Sequence, residues 1–152
     1  MQHLIKALGI TTVLLASSAY AETVSFPKNA ALTYSGNGGV TATMAYGRSA
    51  SNYNINTTFK IPLYSMQFRS SGSMSGNTMI PNSYSDTRRG KLYAQAKFNH
   101  GSKTITYGKA GESKSAPMRG VPMDLFSLAW QLALNNGKVS GVSQFTNGKK
   151  VY

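Results

Sequence analysis

Short segments rich in Thr, Tyr, Val, Ile and Phe alternate along this chain with clusters of Gly, Asn and Ser, and this alternation constrains the fold more than any other feature. Segments of the first kind favour strands, and the clusters favour tight connections between them. The clearest strand is 91–98, where apolar residues take every second position. Strands with one apolar and one polar side are typical of antiparallel sheets that have one solvated face. The sequence therefore predicts a mainly β fold, with a curved antiparallel sheet that forms a partial barrel.

Two prolines interrupt the regular pattern. The apolar residues of 53–61 share one face, but beyond Pro62 the apolar positions shift by one residue. Because such a shift turns side chains to the opposite face, Pro62 predicts either a bend within one strand or a turn between two. In both cases we expect the sheet to bend sharply there, which gives Pro62 a structural role. Pro81 lies in a weaker strand, 79–84, and it predicts an edge or an irregular strand.

One helix is well signalled in the C-terminal half of the chain. Pro122 suits a first turn, and Asp124 favours the positive end of the helix dipole. The leucines that follow share one face, which Phe126 and Trp130 extend. The polar residues form one narrow stripe: Asp124, Ser127, Gln131 and Asn135. A helix with so narrow a stripe is covered over most of its circumference, and its expected partner is the apolar face of the sheet.

Asp124 and Ser127 form the most informative polar pair. Both sit where a side chain can cap the helix, so we expect a structural role for them, as for Trp130 in the core. The alternative is that Asp124 ties the helix to a basic residue on a strand.

Residues 1–21 have the pattern of a cleaved signal peptide. Lys6 precedes an apolar run, 7–16, and Ala19-Tyr20-Ala21 supplies an A-x-A cleavage signal. The run is shorter than the ~20 residues that a membrane span needs. We therefore expect residues 22–152 to form a single β-rich domain with no transmembrane segment after cleavage. The expected location is the periplasm, and the alternative is a secreted or surface-associated protein.

The composition excludes several chemistries and favours anionic partners. The chain has no cysteine, so disulfides, thiol catalysis and thiolate metal sites are excluded. Sixteen Lys and Arg against four acids give a net charge of +12, which attracts anions. In a cell envelope the abundant anions are lipids, lipopolysaccharide and polysaccharide, whereas nucleic acid is not an expected partner. The alternative is a basic surface that only maintains solubility.

The C-terminus has the pattern of an unfinished hairpin. Residues 144–146 are followed by an Asn-Gly turn and then only by 149–152. We expect either a short edge strand or a chain that is a C-terminally truncated part of a longer domain.

The order of these features resembles the N-terminal part of the domain-of-unknown-function 3108 family, a family of exported bacterial proteins. The resemblance covers most of 30–152, and it rests on the following matches: Leu32-x-Tyr34, Tyr53-x-Ile55, Phe68-x-Ser70-x-Gly72, Ile80-Pro81-x-x-Tyr84 with Arg88, Phe98, and Asp124-Leu125-Phe126-Ser127-Leu128. The family continues through further strands that this chain lacks. The resemblance implies a curved, mainly antiparallel sheet, and it implies no activity.

The chain has few side chains of the kinds that commonly act in catalysis. General acid–base chemistry commonly uses His or paired carboxylates. His100 lies in a turn, the acids are scattered, and a set of Ser127, His100 and Asp124 has no support from spacing. No phosphate loop, metal-ligand spacing or dinucleotide motif is present. We therefore expect a protein that is not an enzyme and that uses no cofactor and no metal.

Basic residues are concentrated between Arg88 and Arg119. The candidate ligand-binding residues are Arg88, Arg89, Lys91, Tyr93 and Lys97. Lys91 and Lys97 are expected to share a strand face with Tyr93, which is a composition suited to phosphate or sugar. The alternative is a solvated face that protects an edge strand from aggregation.

These observations favour an exported, non-enzymatic envelope protein that binds an amphipathic or anionic envelope molecule: a lipid, a lipopolysaccharide or a polysaccharide. In this hypothesis the concave apolar face takes the acyl part and the basic face takes the charge. The alternative is a protein–protein module of an envelope assembly, in which the short strand 149–152 offers an edge for strand addition.

Overall fold

The computed structural model describes residues 27–138, 141–142 and 144–152. The signal-peptide prediction for residues 1–21 lies outside this range. The elements are β1 (Asn29–Ser35), a 3₁₀ turn (Asn37–Gly39), β2 (Thr41–Arg48), β3 (Asn52–Ile61), β4 (Tyr64–Ser75), β5 (Thr78–Arg88), β6 (Lys91–Asn99), β7 (Thr104–Lys109), β8 (Lys114–Pro117), β9 (Pro122–Asp124), α1 (Leu125–Leu134) and β10 (Gln144–Thr146).

Strands β1 to β8 form one antiparallel sheet in which each strand pairs with the next one along the chain. The sheet is open, with β1 and β8 at its two edges, and β9 and β10 form a separate parallel pair. Helix α1 packs against β4, β5 and the β9–β10 pair. The predicted mainly β class, with an antiparallel sheet on one helix, is therefore confirmed.

The register decides which side chains face the helix. Phe68 of β4 lies opposite Thr57 of β3 and Asp86 of β5, and its ring is 5.2 Å from that of Phe126 on α1. This row therefore marks the helix side of the sheet. Because side chains alternate along a strand, the neighbouring row points to the other side, which we call the outer face.

Aromatic residues fill the space between the sheet and the helix. Trp130 stacks on Tyr46 with ring centroids 4.1 Å apart, and its indole nitrogen lies 3.2 Å from the sulfur of Met44. Phe126 packs between Phe68 and Tyr84. The concave apolar face proposed for an acyl chain is therefore occupied mainly by the protein's own side chains.

The orientation of the helix corrects the sequence analysis. Asp124, Ser127 and Gln131 of the polar stripe are buried, whereas Leu125 is 45% exposed. Gln131 accepts a hydrogen bond from the backbone of Met79 and donates one to the carbonyl of Asn77. The stripe faces the sheet because the strands offer it backbone and hydroxyl partners, which hydrophobic periodicity does not reveal.

Pro62 forms a turn between two strands, since Ile61 pairs directly with Tyr64 across a two-residue connection. The second alternative for Pro62 is therefore the correct one. Strand β5 pairs with β4 on one side and with β6 on the other, but its pairing with β6 covers only 83–88. Pro81 therefore pairs with β4 alone, and its missing N–H costs no hydrogen bond to β6. The register shifts beside it, where Gly72 lies opposite Pro81, and this makes β5 irregular. A Cβ at Gly72 would collide with the carbonyl of Ile80, so the irregular strand requires glycine there.

Residues 144–152 form a closed hairpin. Phe145 and Tyr152 exchange two backbone hydrogen bonds, and their rings stack 4.8 Å apart. Gly148 at the turn lies against the ring of Tyr84 and the backbone of Gln95. The hairpin expected from the sequence is therefore present, with 149–152 paired with β10 on one side.

Candidate functional site

The structure does not bring the five basic and aromatic candidates together. The guanidinium of Arg88 pairs with Asp86 at 3.0 Å and lies 3.6 Å from the ring centre of Tyr93. Asp86 is on the helix side, in the row of Phe68. Lys97 lies opposite Ser83, on the outer face. The expectation that Tyr93 and Lys97 share a strand face is therefore wrong.

A β-bulge separates these two side chains. Asp86 pairs with Ala94 and Thr87 pairs with Leu92, so Tyr93 is an extra residue without a partner on β5. An extra residue reverses the facing of the side chains beyond it, because the strand period is two. This reversal also explains why Leu92 is exposed although Ala94, Ala96 and Phe98 of the same pattern are buried.

Arg89 and Lys91 lie in and beside the turn between β5 and β6. The Arg89 guanidinium is 5.0 Å from the ring centre of Tyr64, and its backbone N–H donates to the carbonyl of Ser65. Arg89 therefore lies at the end of the sheet that carries the β3–β4 and β5–β6 turns, and Lys97 lies further along β6.

The outer face carries a depression of about 300 Å³, which we call the outer trough. Two rows of side chains cross strands β3 to β6 at this point. The first row is Asn54, Ser71, Ser83 and Lys97, and the second is Asn56, Arg69, Ser85 and Gln95. Hydroxyl and amide side chains line most of these two rows, and Arg69 and Lys97 supply the two positive charges.

The polar groups of the outer trough are accessible. The hydroxyls of Ser71 and Ser83 are 2.9 Å apart and bond to each other, whereas Arg69 and Lys97 are exposed. The trough therefore offers hydroxyl and amide groups that can donate or accept, together with two positive charges.

Arg69 was not among the residues predicted from the sequence. It lies between Phe68 and Ser70, both of which face the helix side. The signal that would have identified it is parity, since any residue between two inward positions of a strand must face outwards.

The acidic side chains of the described residues are all neutralised or buried. Asp86 pairs with Arg88, and Glu112 pairs with Lys114 at 3.1 Å, which lowers the pKa of the Glu112 carboxyl. Asp124 is fully buried. The described surface consequently presents cationic side chains without a competing unpaired carboxylate, and its field favours anions.

Asp124 caps helix α1 from inside the protein. Its carboxylate accepts hydrogen bonds from the backbone N–H groups of Phe126 and Ser127 and from the hydroxyl of Ser70, which is 2.6 Å away. Ser127 completes a capping box by accepting from the N–H of Asp124. The strand partner is thus a serine hydroxyl and not a basic side chain. Burial raises the pKa of the Asp124 carboxyl despite these donors.

The hydrogen bonds of the described residues do not link the three members of the potential catalytic set. Nε2 of His100 lies 2.7 Å from the carbonyl oxygen of Pro81, whereas Ser127 and Asp124 bond to each other. Within the described ranges, no three His, Cys, Asp or Glu side chains are grouped in a way that could hold a metal ion.

A second depression lies on the helix side, at the edge of the sheet. It has a volume of about 240 Å³ and is mainly apolar, with Leu32, Tyr34, Met44, Ala129, Trp130 and Ala133 around it. Leu32 and Tyr34 belong to the edge strand β1, which within the described residues pairs with β2 alone. This apolar cleft is open to an incoming chain or ligand.

Comparison with known proteins gave no match to a family model, a curated protein or a solved structure. No helix in the described part of the chain is both long and apolar enough to cross a bilayer.

Proposed function

We propose that this chain is an exported, non-enzymatic protein of the bacterial periplasm that binds an anionic envelope molecule on the outer face of its sheet. Among the envelope anions, an acidic polysaccharide or the sugar-phosphate part of a lipopolysaccharide fits best. The resemblance to the domain-of-unknown-function 3108 family and the predicted signal peptide belong to the same proposal. The proposed binding needs no cofactor and does not involve nucleic acid.

The observation that carries the proposal is the composition of the outer trough. Its lining combines Asn, Gln and Ser side chains with Arg69 and Lys97, and it contains no acidic residue. Sugar hydroxyls need groups that both donate and accept hydrogen bonds, and sulfate, phosphate or carboxylate groups need cations. A trough with both kinds of group is suited to a charged saccharide.

A binding measurement with dextran sulfate, and neutral dextran as its uncharged counterpart, tests this proposal. We expect dextran sulfate to bind and the double variant Arg69→Gln/Lys97→Gln to bind at least ~10-fold more weakly, since two charge-assisted contacts are lost. The matched control is Lys103→Gln/Lys138→Gln, which removes the same charge outside the trough. Equal weakening in both double variants would show non-specific charge attraction and would contradict the proposal.

A second function is favoured by β1, which is an edge strand among the described residues. This seven-residue strand pairs on one side with β2 and has no described strand on the other, and the apolar cleft lies beside it. An extended segment of a partner protein can add to such an edge and place alternate apolar side chains in the cleft. Crosslinking in the envelope separates this protein–protein module from the first proposal: a single stoichiometric protein linked through β1 would favour it.

A further inference from the structure

Four turns meet at one end of the sheet, which we call the turn end: 36–40, 62–63, 89–90 and 110–113. In a sheet whose strands follow one another in order, alternate turns lie at the same end. Contacts between the turns show this directly. Gly39 lies against the ring of Pro62, the Arg89 N–H donates to the carbonyl of Ser65, and the Ala110 N–H donates to that of Tyr93.

Large apolar side chains are exposed at the turn end. They are Val40, Ile61, Leu63 and Leu92, and Leu63 is 98% exposed. The turns at the opposite end are 49–51, 76–77 and 100–103, and none of these residues is an exposed large hydrophobic one. Four of the eight exposed large hydrophobic residues among those described are therefore at the turn end, and none is in the turns at the opposite end.

Leu63 also occupies an unfavourable backbone conformation. Its φ of 63° is in the left-handed region, where glycine or asparagine is accommodated at much lower cost. A leucine here has neither a packing partner nor a conformational advantage. Strain that folding does not require is an indication of function, and in this case of a role for the apolar side chain outside the protein.

Cations surround these apolar groups. Lys60, Arg89 and Lys91 are exposed at or next to the turns, and none of them takes part in the two ion pairs found among the described residues. The two acids near this end, Asp86 and Glu112, are each paired with a basic neighbour. The turn end thus combines exposed apolar side chains with uncompensated positive charge.

We propose that the turn end docks on an anionic lipid bilayer, with the Leu63 side chain inserted between the headgroups. The cations then contact lipid phosphates, and the exposed apolar residues reach the boundary of the acyl region. Neither a single apolar side chain nor a few cations gives stable attachment alone, but the two contributions together do. This proposal is separate from saccharide binding in the outer trough.

The arrangement favours a bilayer over a protein partner. The exposed apolar residues of the turn end come from three different turns, and Lys60, Arg89 and Lys91 lie next to them in the sequence. A protein interface concentrates apolar groups in a central patch from which charge is depleted. A membrane surface accepts scattered insertion points with basic residues between them.

Vesicle co-sedimentation of residues 22–152, the chain expected after signal cleavage, tests the proposal. We use vesicles of phosphatidylglycerol and phosphatidylethanolamine, with pure phosphatidylcholine vesicles as the neutral comparison. We expect binding to the anionic vesicles that weakens with added salt, and little binding to the neutral ones. Leu63→Asn should weaken binding about 10-fold or more, because the contribution of one buried leucine is lost. Lys60→Gln/Lys91→Gln should weaken it about 30-fold.

Weaker vesicle binding by Leu63→Asn will not come from a loss of folding. Asparagine suits the backbone conformation of residue 63, so thermal stability should be equal or higher. Leu125→Gln, at an exposed leucine on the helix, is the apolar control and should bind as the wild type does. Equal binding of wild type and Leu63→Asn would overturn the proposal, as would equal binding to neutral vesicles. Sedimentation velocity tests for a dimer. If the wild type is a dimer that does not bind vesicles, and Leu63→Asn dissociates it, the turn end is a protein interface and the proposal is overturned.

Discussion

Polar side chains are buried on the helix side of the sheet and exposed on its outer face. On the helix side, Asp124 and Gln131 are buried, and each is held by hydrogen bonds to strand residues. On the outer face, Asn54, Arg69 and Lys97 are exposed in a trough. The difference teaches that polar residues on this chain fix the fold on one side and remain available to a ligand on the other.

The largest expected effect on this comparison comes from the centre of the helix side. Trp130→Ala removes a buried ring that stacks on Tyr46, and we expect it to lower the free energy of unfolding by about 3–5 kcal/mol. Leu125→Ala, at the exposed leucine of the same helix, should cost less than about 1 kcal/mol. Urea denaturation measures both. A larger loss for Leu125→Ala would mean that the helix is oriented with its leucines inwards.

The next effect concerns the buried cap. Asp124→Ala leaves two backbone N–H groups of α1 and the hydroxyl of Ser70 without their acceptor, and it should cost about 2–4 kcal/mol. Asp124→Asn keeps an acceptor at the cap, so it should cost clearly less. Similar losses in both variants would show that the negative charge, and not the hydrogen bonds, is what the site requires.

The same residue gives a prediction for pH. Burial raises the folded-state pKa of Asp124 above the ordinary value of 3.8, so the folded protein holds this proton more tightly than the unfolded chain. Its contribution to stability is therefore fully present below about pH 3.8 and is lost as pH rises through the folded pKa. The stability of the wild type relative to Asp124→Asn should increase on acidification from pH 7. Urea midpoints of both proteins across this range measure the difference, and a constant difference would contradict the assignment.

The smallest of these expected effects is a gain in the free energy of unfolding. The hydroxyl of Thr57 is buried on the helix side and has no hydrogen-bond partner among the described residues. Thr57→Val replaces it with a methyl group of similar size and should stabilise the protein by about 1 kcal/mol. Ser83→Ala on the outer face should change stability by less than about 0.5 kcal/mol. A clear loss in Thr57→Val would reveal a partner for the buried hydroxyl.

Much of the fold follows from local sequence patterns, and the failures have identifiable causes. The alternation at 91–98 and the capping position of Asp124 predicted a strand and a helix that the structure contains. The bulge at Tyr93 was not predictable, because it depends on the register between β5 and β6 and not on either strand alone. The inward direction of the polar stripe was missed for a related reason, since its partners are backbone groups of distant strands.

The candidate site was predicted only in part. Lys97 was identified from its basic strand, but Arg69 belongs to a segment that was interpreted by its apolar residues alone. Arg69 and Lys97 line the same trough because four consecutive strands bring their outward positions into two neighbouring rows. Which rows form is a property of strand pairing, so a cluster of this kind becomes visible only when the register is known.

The most direct test of the account compares side-chain amides on the two faces. Asn54, Asn56 and Gln95 carry amide groups in the outer trough, whereas Gln131 and Gln144 carry theirs on the helix side, bonded to backbone carbonyls. In ¹H–¹⁵N NMR spectra recorded during a titration with a short dextran sulfate oligomer, we expect the side-chain signals of Asn54, Asn56 and Gln95 to shift while those of Gln131 and Gln144 stay unchanged. Shifts confined to the helix-side amides, or no shift in the trough at saturation, would contradict the claim that the outer face is the binding face.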